Sequence, residues 1–275
     1  MKLKFTQNIK FVIVLLLFPI FSNAEIKVKI YYELTSNGYE IFADNDEFCT
    51  VSVKINFTTT NLSIEGGNNK TYVIDSKRKK QHLTTLTEIK KGKAYKFSFQ
   101  SNSNYGSVLD KEFDIDYVYD LPYKTHENYT VSQGYNGTFS HQNENSLDFL
   151  MPIGTEITAV RDGIVINLID SNNKNCPTKD CMKFNNVILI YHSDNTFAEY
   201  AHLKLKGAKV KVGDKITKGQ VIGLSGNVGW STAAHLHLVI FKQGIEKRET
   251  LKTKFKTNEA TIEFLNENKN YFRKY

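Results

Sequence analysis

The stretch WSTAAHLHLVIF (Trp230 to Phe241) sets His235 and His237 two residues apart inside an apolar run. Side chains alternate between the two faces of a strand. Leu236, Leu238 and Ile240 then share one face, and the two imidazoles share the other, about 6–7 Å apart at Cα. Such a pair is either two half-exposed polar groups on the wet face of a sheet or part of a metal or catalytic site. Other stretches weigh on the choice. SHQNENSLDF carries His141 and Asp148, and EYAHL carries His202. Imidazole nitrogen and carboxylate oxygen are ordinary zinc ligands, and a catalytic zinc site takes three protein ligands and keeps one position for water. Five candidates stand for three places. The remaining two would serve proton transfer and charge stabilisation, and spacing alone leaves open which two.

These residues must be positioned by the rest of a 275-residue chain, enough for about two domains. The first 24 residues read as a secretory signal peptide, with Lys2, Lys4 and Lys10 ahead of the apolar run Phe11 to Phe21 and the small-x-small site Ser22-Asn23-Ala24. Losing three lysines and no acids takes the formal charge from +7 to +4. A mild positive balance suits an anionic polymer or surface. An exported chain without a basic stripe is not expected to bind nucleic acid, and no later segment is long and apolar enough to span a bilayer. Cys176 and Cys181 bracket CPTKDC in a polar loop, where an exported chain is expected to form a local disulfide. Cys49, in FCTVSVKINF, reads as a buried small apolar residue.

Alternating segments dominate. Residues 26–32, 51–57 and 95–99 read as half-buried strands, so residues 25–118 are expected to form a β-sandwich-like domain. The stretch 119–130 reads as a linker. Most of the histidines follow it, with strands expected near 156–169, 186–191, 196–201, 208–224 and 236–241. Residues 131–257 therefore read as an antiparallel β domain, and 258–275 as a helical tail capped by Asn258. The fold class is all-β.

In order along the chain, SQGYNGTFSH…SLDFLMPIGTEITAVRDGIVI, NNVILIYHSDNTFAEYAHL and KVKVGDKITKGQVIGLSGNVGWSTAAHLHLVIF resemble the blocks of the LytM/lysostaphin-type zinc endopeptidases of bacterial cell walls. The resemblance covers nearly all of the second domain. It implies a barrel-sandwich hybrid-like antiparallel β-sheet peptidase domain. It makes His141, Asp148 and His237 the ligands of one zinc ion per chain, and His202 and His235 the non-ligand histidines of the active site. Many members place the Asp four residues after the first His; here it is seven, a longer spacing also seen in the family. The resemblance further implies an exported, periplasmic or cell-envelope peptidase whose partner is a peptidoglycan peptide. Tyr200 and Asn227 are expected substrate contacts, and His192, at a strand-to-turn junction, is expected to make a structural hydrogen bond. The alternative is a non-catalytic or autoinhibited LytM-type module that regulates other wall hydrolases, with residues 25–118 covering or aiming the groove. A biotinyl or lipoyl carrier lacks its displayed lysine here, and a cupin would place its companion ligands after the H-x-H pair rather than before it.

Overall fold

The computed structural model describes residues 26–275, so the expected signal peptide lies outside the described residues. Among the described residues, no helix is long and apolar enough to cross a membrane.

Seven strands form the N-terminal unit: β1 (Val28–Thr35), β2 (Gly38–Asn45), β3 (Val51–Thr60), β4 (Leu62–Ile64), β5 (Lys70–Ile74), β6 (Gln81–Glu88) and β7 (Lys96–Tyr105). They pair as two antiparallel sheets, β1-β2-β6-β4 and β5-β3-β7. Val51, Val53, Ile55 and Phe57 alternate inward from β3 and meet Ile41, Ile74 and Leu86 in one core. Period-two apolar patterning produces this packing, since every second side chain lands on the buried face.

The second unit holds β8 (Val118–Asp120), β9 (Asn128–Gln133), β10 (Ser146–Leu150), β11 (Glu156–Thr158), β12 (Gly163–Ile169), β13 (Asn175–Cys176), β14 (Val187–Tyr191), β15 (Thr196–Ala201), β16 (Lys215–Ile216) and β17 (Val221–Leu224). It continues with β18 (Gly229–Trp230), β19 (His235–Gln243), β20 (Arg248–Thr250), β21 (Lys254–Lys256), β22 (Ile262–Phe264) and β23 (Asn270–Phe272). The main sheet runs β16-β12-β14-β15-β19-β10-β9-β23, with β20 also on β19. Its pairs are antiparallel, and the fold is all-β.

One face of this sheet carries the core. Ile188, Ile190, Ala198, Tyr200, Leu236, Leu238 and Ile240 pack there with Phe149, Tyr123 and Phe255. The other face is divided along its strands. His235 and His237 lie toward one end. Val239 and Phe241 of the same strand join Phe197, Leu189, Ile166 and the N-terminal unit's Cys49 in a separate cluster. Cys49 is buried, and burial pushes its thiol up to about 12, so it packs as a small apolar group. The two units are also pinned by polar contacts. Asn195 accepts from Ser107 N at 2.8 Å and donates back to Ser107 O at 2.6 Å, and Asn104 Nδ2 donates to Ile245 O at 3.1 Å.

Three expectations change. The stretch 119–130 is not a linker. Tyr119, Leu121 and Tyr123 are buried in the second unit's core, where their aromatic and aliphatic bulk gains more from packing than from solvent. Residues 258–275 are not helical. β22 pairs with β21 and β23 with β9, and Arg273 is buried against Leu121 O, Tyr123 O, Thr158 Oγ1 and Asp120. Asn-rich sequence has little helix propensity to set against these partners. Finally, 156–169 breaks into β11 and β12, and 208–224 contributes only the short β16 and β17.

Candidate metal centre and its groove

β10 and β19 pair so that Asp148 faces His237 directly. His237 Nδ1 comes within 2.9 Å of Asp148 Oδ1. His141 reaches the same carboxylate from the β9–β10 connection, with Nε2 3.3 Å from Oδ1. One ligand atom from each of His141, Asp148 and His237 lies within 4.8 Å of the others. His141 is buried, its Nδ1 lies 3.0 Å from Gly134 O, and its Nε2 makes no hydrogen bond. A carbonyl only accepts, so Nδ1 carries the proton and Nε2 presents a lone pair. A buried lone pair without a donor, beside a carboxylate and a second imidazole, is the donor set that a zinc ion requires.

Burial would raise the Asp148 carboxyl, but its contacts with His141 and His237 and the nearness of the His237 and His235 rings outweigh it. The carboxyl is held well below its ordinary range and stays ionised. Burial lowers His141, and the attraction of Asp148 more than reverses this, so its net shift is upward.

His202 and His235 complete the centre, with ring centroids 4.6 Å apart. His202 follows the last residue of β15, and strict alternation would send its side chain to the core beside Tyr200. A left-handed backbone, φ 65°, turns it to the groove instead. This turn needs Gly226 beside it, because a Cβ there would meet Lys204 N at 2.5 Å and His202 O at 2.7 Å. His202 Nδ1 donates to Val228 O at 2.8 Å, and His235 Nδ1 to Ala233 O at 2.8 Å. Each ring therefore keeps Nε2 as its free nitrogen. Burial first, then the neighbouring imidazoles, pushes His202 down to about 3. Burial likewise lowers His235 against the pull of Asp148. Both rings are neutral at neutral pH.

These five residues sit in a groove of about 400 Å³. One wall is the 133–144 turn with exposed Phe139, and the other holds Met182, Asn185 and Trp230. The second wall is tied by the Cys176–Cys181 disulfide and by the parallel pairing of β13 with β18. All described residues lining the groove come from 132–267, so none of 26–118 covers it.

Tyr200 is not a groove residue. It is fully buried, and its hydroxyl accepts from Val160 N at 2.9 Å. Glu199 and Ala201 take the groove face of β15 instead. Asn227 stands outside the groove lining. Its Oδ1 accepts from Ser231 Oγ at 2.6 Å, which in turn lies 3.3 Å from His235 Nδ1. His192 is fully buried with Nδ1 2.6 Å from Asp162 O, and it does not line the groove.

Two groove residues had no sequence signal strong enough to single them out. Arg248 reaches Glu144 at 3.2 Å and Glu199 at 3.3 Å, bridging one wall to the floor. The long His141–Asp148 spacing serves this bridge. Its extra residues form a turn in which Glu144 meets Arg248, and Asn145 bonds Thr250 through both its backbone N–H and its side-chain amide. Gln133 contacts Asp148; it lay inside the stretch SQGYNG, whose glycines next to a candidate ligand were the available clue.

Comparison with known proteins agrees with this geometry. Residues 142–248 match the model of Peptidase family M23. The matched stretch lies within the second unit, which resembles M23 peptidase domains of the LytM/lysostaphin type. The chain is 29% identical over 181 residues, 62% of its length and 44% of the relative's, to an uncharacterized metalloprotease of Buchnera aphidicola. It is 28% identical over 213 residues, 74% of its length and 46% of the relative's, to the peptidoglycan DD-endopeptidase ShyA of Vibrio cholerae. The chain thus spans less than half the length of these relatives. Among solved structures, the catalytic domain of lysostaphin from Staphylococcus simulans is 27% identical, with a TM-score of 0.33, over 46% of this chain and 88% of that one.

Proposed function

We propose that this chain is an exported zinc endopeptidase that cleaves peptide cross-links or bridges in bacterial peptidoglycan. The observation that carries the reading is the convergence of His141, Asp148 and His237 on one point, at the floor of an open groove that two neutral histidines also face. The disulfide supports an oxidising compartment outside the cytoplasm.

His141 Nε2, Asp148 Oδ1 and His237 Nδ1 would hold the zinc. Zinc, when bound, supplies a Lewis acid that activates water and polarises the scissile carbonyl. Asp148 remains ionised and so contributes charge to that site. The remaining work falls to the two other histidines. A neutral ring with a free Nε2 takes the proton from the attacking water and returns it to the leaving amine. The second ring steadies the oxyanion after taking a proton from solvent at its Nε2, which the developing negative charge favours. The groove is open to solvent and admits an extended peptide without moving the N-terminal unit.

The reading of a non-catalytic regulator would be supported by a missing ligand or a covered groove, and neither is present among the described residues. The test is mass spectrometry of the soluble products released from purified sacculi, with and without a zinc chelator. Chelator-sensitive release of defined muropeptides is the expected result and names the bond. No release by protein that holds zinc would overturn the peptidase reading.

A further inference from the structure

We propose that Gln133 is the positioning residue that assembles the metal centre, one buried amide setting both Asp148 and the His141 loop. The proposal rests on the ligand set given above. Gln133 ends β9 and stands opposite Asp148, where the register of the β9–β10 pair shifts. It is 8% exposed.

Its amide is fully committed. Nε2 donates to Asp148 Oδ2 at 3.0 Å and to Ser140 Oγ at 2.7 Å. Oε1 accepts the backbone N–H of Ser140 at 2.8 Å and of Phe139 at 3.1 Å. A primary amide has two donor hydrogens and two acceptor lone pairs, and all four are used. The backbone donors fix which end is oxygen, so the other end must donate to the carboxylate.

Two consequences follow for the site. Oδ2 of Asp148 is occupied by Gln133, which turns Oδ1 toward His237 Nδ1 and His141 Nε2. The same amide grips the two residues immediately before His141, so that ligand's loop is placed relative to Asp148 by a single rigid group. The chain wraps closely to do this. A Cβ at Gly137 would lie 2.5 Å from Gln133 Cγ, so that position requires glycine. No other residue type substitutes: Glu has no donor for Asp148, and Asn is one methylene too short to reach both partners.

The test uses the full chain, stripped of metal and titrated with zinc against a competing chelator, for wild type, Gln133→Met and Gln133→Glu. Met keeps the length and removes all four hydrogen bonds. Glu keeps the acceptor for the 139–140 backbone and removes the donor to Asp148. Outer-shell changes weaken metal binding by about 10- to 100-fold, and that loss is expected in both variants. The cobalt-substituted protein gives a second readout. Its visible absorption is expected to change in the variants, because Asp148 no longer presents one fixed oxygen.

Zinc affinity within twofold of wild type together with an unchanged cobalt spectrum would overturn the proposal. So would loss of zinc accompanied by loss of the cooperative unfolding transition in both variants, since Gln133 would then be a folding residue. Muropeptide release by the wild type is read in parallel. Normal zinc affinity without release sinks the peptidase reading and leaves the role of Gln133 standing on the metal data.

Discussion

Asp148 and His237 stand directly opposite each other across the β10–β19 pair, with His237 Nδ1 2.9 Å from Asp148 Oδ1. The pairing is a consequence of register. Leu147 and Leu238 pair beside them and face the core. A slip of one residue in either strand would turn that strand's leucine outward and its metal-site side chain inward. The core that fixes the sheet thereby fixes two of the three proposed ligand positions.

Replacing Asp148 or His237 by alanine removes a proposed zinc ligand. Zinc affinity is expected to fall by more than about 100-fold, beyond the range of outer-shell changes. His202→Ala and His235→Ala are expected to keep zinc and lose about 10²- to 10⁴-fold in kcat, the contribution of a positioned acid or base. Zinc content after dialysis and turnover on a defined muropeptide check both arms. A zinc-free His202→Ala protein would show that the roles are wrongly divided.

Tyr200 separates a core residue from a substrate contact. Tyr200→Phe leaves the buried Val160 N–H without its acceptor. Stability is expected to fall by about 1–3 kcal/mol, with KM unchanged. A KM increase in a protein of wild-type stability would contradict the placement.

His192 makes stability depend on pH. It is buried, and burial pushes its pKa down to about 4 from the ordinary 6.5. Between these values the unfolded chain binds a proton that the folded chain refuses. The stabilising contribution is therefore full above about pH 6.5, declines as pH falls toward 4, and is lost below it. The whole effect is about 3 kcal/mol. His192→Asn retains a donor for Asp162 O and does not titrate. Urea unfolding at pH 7 and pH 5 is expected to show wild type losing about 2 kcal/mol more than the variant. Equal losses would show that His192 is solvated.

The Cys176–Cys181 bond ties the wall that carries Met182 and Asn185. The double variant Cys176→Ser, Cys181→Ser is expected to lose about 2 kcal/mol for a loop this short. Its KM is expected to rise while zinc affinity stays unchanged, because all three proposed ligands lie on other segments. Unchanged KM would show that this wall does not touch substrate.

Local sequence reached some features and missed others for reasons tied to particular residues. The H-x-H spacing determined by itself that His235 and His237 share a face, because strand alternation is a property of the backbone. The apolar alternation of β3, β15 and β19 likewise determined an all-β chain. Alternation says nothing about which face becomes a groove, so Tyr200 was placed on the wrong side. His202 escapes alternation altogether, through a left-handed turn permitted by a distant glycine. The strands at 262–264 and 270–272 exist because β21 and β9 offer open edges, which no local propensity records. Gln133 and Arg248 gain their roles only from partners many residues away. The residue types, and the shared face of His235 and His237, were determined by the sequence alone. Their convergence was decided by tertiary structure, because sheet register and loop closure bring together groups that the chain keeps apart.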